Sequence, residues 1–174
     1  GDEELAALRR RAAEVCFAPN RLPPEREEER MELLRPLFGK TGAEFTITPD
    51  FHCDYGGNIT LGEGFYANYN LVILDCAPVT FGDNVLVGPG CGFYTAIHPL
   101  DAAHRATGEE KAAPITVGSD VWFGGNVTVL PGVTIGDGAV IGAGSVVTRD
   151  IPPGVVAAGN PCRVLRPVDQ EQAP

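Results

Sequence analysis

The feature that most constrains the fold is a beat of six. Val117, Phe123, Val129, Ile135, Ile141 and Val147 fall six residues apart without a miss, and Val121, Val127, Val133, Ala139, Ser145 and Ile151 keep the same step in a second register. An amphipathic helix places apolar residues near every 3.6 and a one-faced strand alternates every two, so neither demands this spacing. A repeating backbone unit does. In a hexapeptide parallel β-helix each short strand spans one repeat and sends one apolar side chain inward, onto its equivalents in neighbouring coils. Upstream the beat passes through Leu61, Ala67 and Ile73 and then, after a two-residue slip, through Phe81, Val87 and Phe93. Gly62, Gly82, Gly88, Gly118, Gly124, Gly136 and Gly142 each follow an inward residue, where a tight turn that a Cβ would strain is expected.

Phe93 and Val117 are 24 residues apart, a whole number of repeats, yet residues 97–114 carry no apolar beat. They are expected to leave the stack as one long loop and return in register. Long loops on rigid scaffolds often carry function, and this one holds His98 and His104, two of the three histidines. Residues 1–40 read as a helical segment. Leu5, Leu8, Ala12 and Val15 form a stripe at helical spacing, and a second helix starts near Pro24–Glu25, carries Met31, Leu34 and Phe38 on one face and stops at Gly39. Residues 41–168 form the β domain, in which 159–168 is a terminal or crossing strand over the last coil, and 169–174 is a flexible tail.

A net charge of −10 argues against nucleic acid or an anionic membrane as the main partner. No stretch is apolar and long enough to cross a bilayer, and the given N-terminus lacks an n-region followed by an h-region, so a soluble protein is expected. Cys16, Cys53, Cys76, Cys91 and Cys162 are odd in number and lack a C-x-x-C pair, which fits reduced thiols in a cytoplasm. No G-x-x-x-x-G-K-[ST] loop is present, so ATP is not expected.

Four runs carry a resemblance: residues 52–75 (HCDYGGNITLGEGFYANYNLVILD), 97–101 (IHPLD), 114–152, which hold the unbroken repeats, and 159–166 (GNPCRVLR). Together they resemble the maltose and galactoside O-acetyltransferases, hexapeptide-repeat acyltransferases that use acetyl-CoA, and residues 72–79 lie closer to the maltose branch. The resemblance implies a mainly β fold, a left-handed parallel β-helix of triangular section, a homotrimer with active sites between subunits, and no metal requirement.

The chemistry agrees with it. A thioester has a good leaving group, but a hydroxyl is a poor nucleophile at neutral pH and needs a positioned base, for which histidine is suited. Pro99 restricts His98 to extended backbone where the loop leaves the stack, and the resemblance puts the catalytic base on His98. It also implies that Asp54, Tyr66, Asn68, Glu110 and Arg9 face the acceptor, with Asn68 holding the reacting hydroxyl. Cys76 stands where the galactoside branch has aspartate, Glu110 where it has methionine, and one acidic acceptor contact of the family falls before Gly1. Trp122, Gly124, Gly125, Ala143 and Thr148 match donor positions, with the Gly125 N–H as oxyanion donor. Arg149, Arg163 and Arg166 suit the phosphates of CoA. The expected acceptor is a sugar such as maltose, glucose or a galactoside. Serine, a xenobiotic or an amine is the alternative, followed by a three-histidine zinc site of His52, His98 and His104 of the carbonic anhydrase type, or a non-catalytic solenoid.

Overall fold

The computed structural model describes residues 2–168. After two N-terminal helices, α1 (Asp2–Phe17) and α2 (Glu27–Leu34), the chain winds into a parallel β-helix whose coils each cross three faces. Face I stacks Phe45–Ile47, Phe65–Ala67, Leu86–Val87, Trp122–Phe123, Val140–Ile141 and Val155–Gly159, and the antiparallel strand Cys162–Pro167 completes it. Face II stacks Phe51–Cys53, Leu71–Leu74, Gly92–Tyr94, Thr128–Val129 and Val146–Val147. Face III stacks Ile59–Thr60, Val79–Phe81, Ile115–Val117 and Thr134–Ile135. This is the repeat fold that the beat of six predicts.

The pairing explains the beat. Val117 sits opposite Ile135 on face III, Phe123 opposite Ile141 on face I, and Val129 opposite Val147 on face II, so three repeats of six close one coil. Both registers point inward, rather than one residue per repeat, because within so short a strand residues i and i+2 share a side. Val121, Val127, Val133, Ala139 and Ser145 are accordingly as buried as the first set. Ile151 departs from its expected register: it bridges to Ile135 and not to Val133, so the preceding corner is shortened. Phe65, Phe81, Phe93 and Phe123 stack up the axis with ring centroids 4.9–5.2 Å apart, a separation at which tilted and edge-on aromatic pairs attract.

The glycines that follow inward residues serve a different purpose from the one expected. None of the seven has a positive φ; that conformation falls two residues later, at Gly64, Asn84, Gly90, Asp120, Asn126, Gly138 and Gly144. The seven are small because adjacent coils touch there: a Cβ on Gly124 would stand 2.6 Å from the backbone nitrogen of Ala143. Side chains lace the corner between faces III and I. Glu63 accepts the N–H groups of Ala43 and Glu44, Asp83 accepts that of Glu63, Ser119 that of Asp83, and Asp137 that of Ser119.

Helix α1 buries Ala12 and Cys16, whereas Leu5 and Leu8 are each 42% exposed, so only the C-terminal half of the expected stripe is core. Met31, Leu34 and Phe38 are buried as expected, although Phe38 follows a 3₁₀ turn (Arg35–Leu37) with extended backbone. Asn20 trades two hydrogen bonds with the backbone of Phe51, which docks the helical segment on the first coil, and buried Arg30 holds the carbonyls of Pro19 and Leu22, which ties α2 to the turn after α1. The excursion is more ordered than a loop. Ala96–Ile97 pairs antiparallel with Lys111–Ala112, and a short helix α3 (Ala102–Arg105) closes the tip. The tail at 169–174 lies outside the described residues.

Candidate active site

The two-residue slips and the excursion fall at one place. Cys53 to Leu61 and Ile73 to Phe81 each span eight residues instead of six, and both insertions sit at the corner between faces II and III, directly beneath the arm that leaves after Thr95. This corner gathers His98, Glu110, Asp54, Cys76 and, from α1, Arg9. His98 is exposed on the arm, and its Nε2 lies 3.7 Å from Glu110 Oε2. That is too long for a hydrogen bond but sets the carboxylate beside the imidazole ring. The Arg105 guanidinium donates to the carbonyls of Pro99 and Leu100 and so braces the backbone just beyond His98. A cleft of about 500 Å³ opens beside His98 between Leu100, Asp101, Glu109 and Lys111.

Beneath the arm, Cys76 Sγ donates to Asp54 Oδ2 at 3.3 Å, and burial together with this carboxylate pushes the Cys76 thiol up to about 12. Arg9 reaches the corner through Tyr55, donating to its hydroxyl at 2.7 Å. Sequence reasoning missed Asp75, which is fully buried and accepts the N–H groups of Asp54, Tyr55 and Asn58. Burial raises its carboxyl above the usual range, against the pull of the Tyr55 and Asn58 N–H groups and its own, and the nearby Asp54 carboxylate pushes the same way as burial. The available signal was an ionisable residue that ends the apolar run Leu71–Leu74 at the slipped corner.

The other expected residues lie elsewhere. Asn68, Gly124, Gly125 and Ala143 stack along the corner between faces I and II, while Tyr66 and Trp122 stand on the outer side of face I, separated by Leu86. Thr148 and Arg149 occupy the II–III corner beyond the arm, and Arg163 and Arg166 lie on the terminal strand at the edge of face I. Within one chain the three arginines therefore do not form one cluster. A face is one short strand wide, roughly 15–20 Å with its turn residues at about 3.3 Å each, so a single chain keeps Asn68 and Trp122 far from His98.

The peptide between Gly124 and Gly125 is oriented. The buried Cys91 thiol donates to the Gly124 carbonyl at 3.2 Å, and a trans peptide then turns the Gly125 N–H the opposite way, out of the coil. Among the described residues that N–H has no hydrogen-bond partner, while the Gly124 N–H is taken by Ile141 and the Asn126 N–H by Pro89.

His104 bonds Glu109 within the arm at 2.8 Å, and His52 projects from the outer side of face II. Among the described residues no group of three or more histidines, cysteines, aspartates or glutamates is gathered to hold a metal ion within the chain. All five cysteines are free thiols. No helix of the described residues is long and apolar enough to cross a membrane.

Comparison with known proteins bears on this arrangement. Residues 1–42 match the maltose acetyltransferase hexapeptide capping motif, and residues 114–149 match the bacterial transferase hexapeptide model of six repeats. The galactoside O-acetyltransferase of Escherichia coli is 45% identical over 167 residues, 96% of this chain and 82% of that protein. This chain belongs to the maltose and galactoside O-acetyltransferase family. Among solved structures of this acetyltransferase family, a maltose O-acetyltransferase from Clostridium difficile superposes with a TM-score of 0.94 at 45% identity, covering 97% of this chain and 90% of that one. A hexapeptide-repeat acetyltransferase from Vibrio cholerae, solved with acetyl coenzyme A, superposes with a TM-score of 0.90 at 43% identity, covering 96% and 90%.

Proposed function

We propose that this acetyltransferase moves an acetyl group from acetyl-CoA directly to a hydroxyl of a sugar, with His98 as general base. The observation that carries the reading is the placement of His98 on a braced arm, beside Glu110 and over a polar corner of Asp54, Cys76 and Arg9. His98 takes the proton of the acceptor hydroxyl as its oxygen bonds to the thioester carbon, and Glu110 stabilises the imidazolium. The tetrahedral oxyanion accepts from the outward Gly125 N–H. As the C–S bond breaks, His98 returns the proton to the departing sulfur.

A covalent route through cysteine is disfavoured on chemical grounds. With its thiol pushed up to about 12 by burial and the Asp54 carboxylate, Cys76 stays protonated at neutral pH and is a poor nucleophile. Cys91 is buried with its thiol turned to a carbonyl.

Because His98 and Asn68 lie on different corners, the reading requires a second copy of the chain. In a homotrimer the II–III corner of one subunit, with His98, Asp54, Glu110, Thr148 and Arg149, faces the I–II corner and face I of its neighbour, with Asn68, Tyr66, Trp122, Gly124, Gly125 and Ala143. Arg163 and Arg166 then bind the phosphates of CoA at the end of the groove.

The test is thiol release from acetyl-CoA against mono- and disaccharides, serine and amines, using the wild type, His98→Ala, Asn68→Ala and refolded mixtures of the two variants. Expected are sugar-dependent release, a loss of at least about 10²-fold in each variant, and partial recovery in the mixture, where some sites receive one intact residue from each parent. Near-normal turnover of His98→Ala overturns the base assignment. Absence of recovery overturns the shared site, and release driven by serine or amines alone overturns the sugar.

A further inference from the structure

A buried polar spine runs through the II–III corner. Asp75 Oδ1 accepts from the backbone of Asp54 at 3.1 Å and Tyr55 at 2.9 Å, Oδ2 accepts from the backbone of Asn58 at 3.3 Å, and the Asn58 side chain donates back to the Asp75 carbonyl at 2.8 Å. The inserted loop of the first coil is thus wrapped around one carboxylate of the second. One coil further on, the fully buried Thr95 hydroxyl donates to the Leu74 carbonyl and accepts from the Ala77 N–H at 3.0 Å. The Thr95 carbonyl accepts from Ala113, where the arm returns.

The corner residues hang from this spine in a definite order. Asp54 and Tyr55 are held by Asp75, Cys76 follows it in the chain and bonds Asp54, Arg9 bonds Tyr55, and the arm bearing His98 leaves directly after Thr95. A buried carboxylate with no cation against it is costly, and here three backbone donors offset the cost. They come from the extra residues of the slipped corner, so the insertion and the carboxylate form one device.

We infer that Asp75 is a positioning residue for acceptor recognition, fixing Asp54 and, through Tyr55, Arg9 relative to the base on the arm. This rests on the acetyltransferase reading in which Asp54 and Arg9 face the acceptor. Asp75 touches neither substrate. It sets where the loop presents its carboxylate and where the guanidinium is anchored. Asp75→Asn keeps the size but replaces one acceptor oxygen with an NH₂ group that confronts a backbone N–H, so the loop must shift.

The experiment compares wild type, Asp75→Asn and Asn58→Ala, the last loosening the loop without touching the carboxylate. Steady-state kinetics with a sugar acceptor, titration with CoA, thermal unfolding, and labelling of Cys76 by iodoacetamide followed on its tryptic peptide are measured together. Expected for Asp75→Asn are a rise of about 10-fold or more in acceptor KM, unchanged affinity for CoA, and several-fold faster alkylation of Cys76 as Asp54 releases it. Asn58→Ala is expected to show the same pattern more weakly. Equal losses in acceptor KM and CoA affinity, in step with lowered thermal stability, would show a structural part only and overturn the inference, as would an unchanged acceptor KM. Cys76 labelling needs no acceptor, so faster labelling in Asp75→Asn when the wild type shows no sugar-dependent turnover would place the failure in the sugar assignment and keep the loop-fixing role. Unchanged labelling removes that role.

Discussion

Replacing Gly124 by alanine asks whether the glycines of the repeat are there for conformational freedom or for inter-coil contact. Gly124 has no positive φ, so alanine brings no backbone strain of its own. Its new Cβ would stand 2.6 Å from the nitrogen of Ala143 and 2.9 Å from its Cα, both backbone atoms that cannot swing aside. Restoring a contact of about 3.4 Å parts the two coils locally by about 0.8 Å. Across that junction run Gly124 N–H to Ile141 at 2.8 Å, Trp122 N–H to Ala139 at 3.0 Å and Gly144 N–H to Gly125 at 2.8 Å. Opening by about 0.8 Å carries each past about 3.5 Å, where a hydrogen bond is effectively lost. At about 1 kcal/mol each, the cost is roughly 2–4 kcal/mol once partial relaxation is allowed. For a chain of this length that lowers the unfolding midpoint by roughly 5–15 °C. Thermal unfolding at one fixed protein concentration measures it, since assembly shifts apparent stability. Gly125→Ala is the control: its Cβ would meet Pro89 no closer than 3.4 Å, so less than about 1 kcal/mol is expected. A midpoint for Gly124→Ala within a degree of wild type, or an equal loss in Gly125→Ala, would refute the contact argument.

Two further outcomes are expected. Glu63 is held below the usual carboxylate range by the N–H groups of Glu44 and Ala43. Its stabilising contribution is therefore present above the unfolded carboxyl pKa and lost as pH falls through the lower folded value; wild type should unfold at higher temperature than Glu63→Gln at neutral pH and converge with it in acid, and a constant gap at all pH would contradict the hydrogen-bonded carboxylate. Arg163→Ala should weaken CoA more than dephospho-CoA in equilibrium titrations, and equal weakening of both would move Arg163 away from the 3′-phosphate.

The fold was legible because the solenoid repeats one local rule. Wherever Val, Ile or Phe returns at six, the side chain must be covered, and stacking on the equivalent residue of the next coil covers it, so the pattern carries the architecture without long-range guesswork. The same reasoning misassigned the glycines and the second register. The distance between coils is a tertiary quantity, and the left-handed turn falls two residues from the glycine that first draws attention, often at asparagine or aspartate. Leu5 and Leu8 belong to one apolar stripe by helical spacing, yet they line an open groove beside Tyr55, Cys76 and Lys111 while Ala12 and Cys16 are buried in the core.

For the candidate site, His98 could be singled out from its loop and its proline, and the acceptor and donor positions from a family likeness. Their grouping could not. His98 and Asn68 are 30 positions apart in the chain and belong to different corners of one prism, a separation that appears only when the repeats are wound three to a coil. Asp75 is the sharpest case. By itself it is an aspartate after an apolar run, and it becomes the organiser of the acceptor corner only because winding lays the loop Asp54–Asn58 against it and buries its carboxylate. By itself the sequence determined the periodic strand, the coil and the point where the chain breaks from it, since these follow from local spacing and the need to bury apolar surface. The tertiary structure alone decided which polar groups meet, because burial and hydrogen bonding between coils depend on positions that no linear spacing encodes.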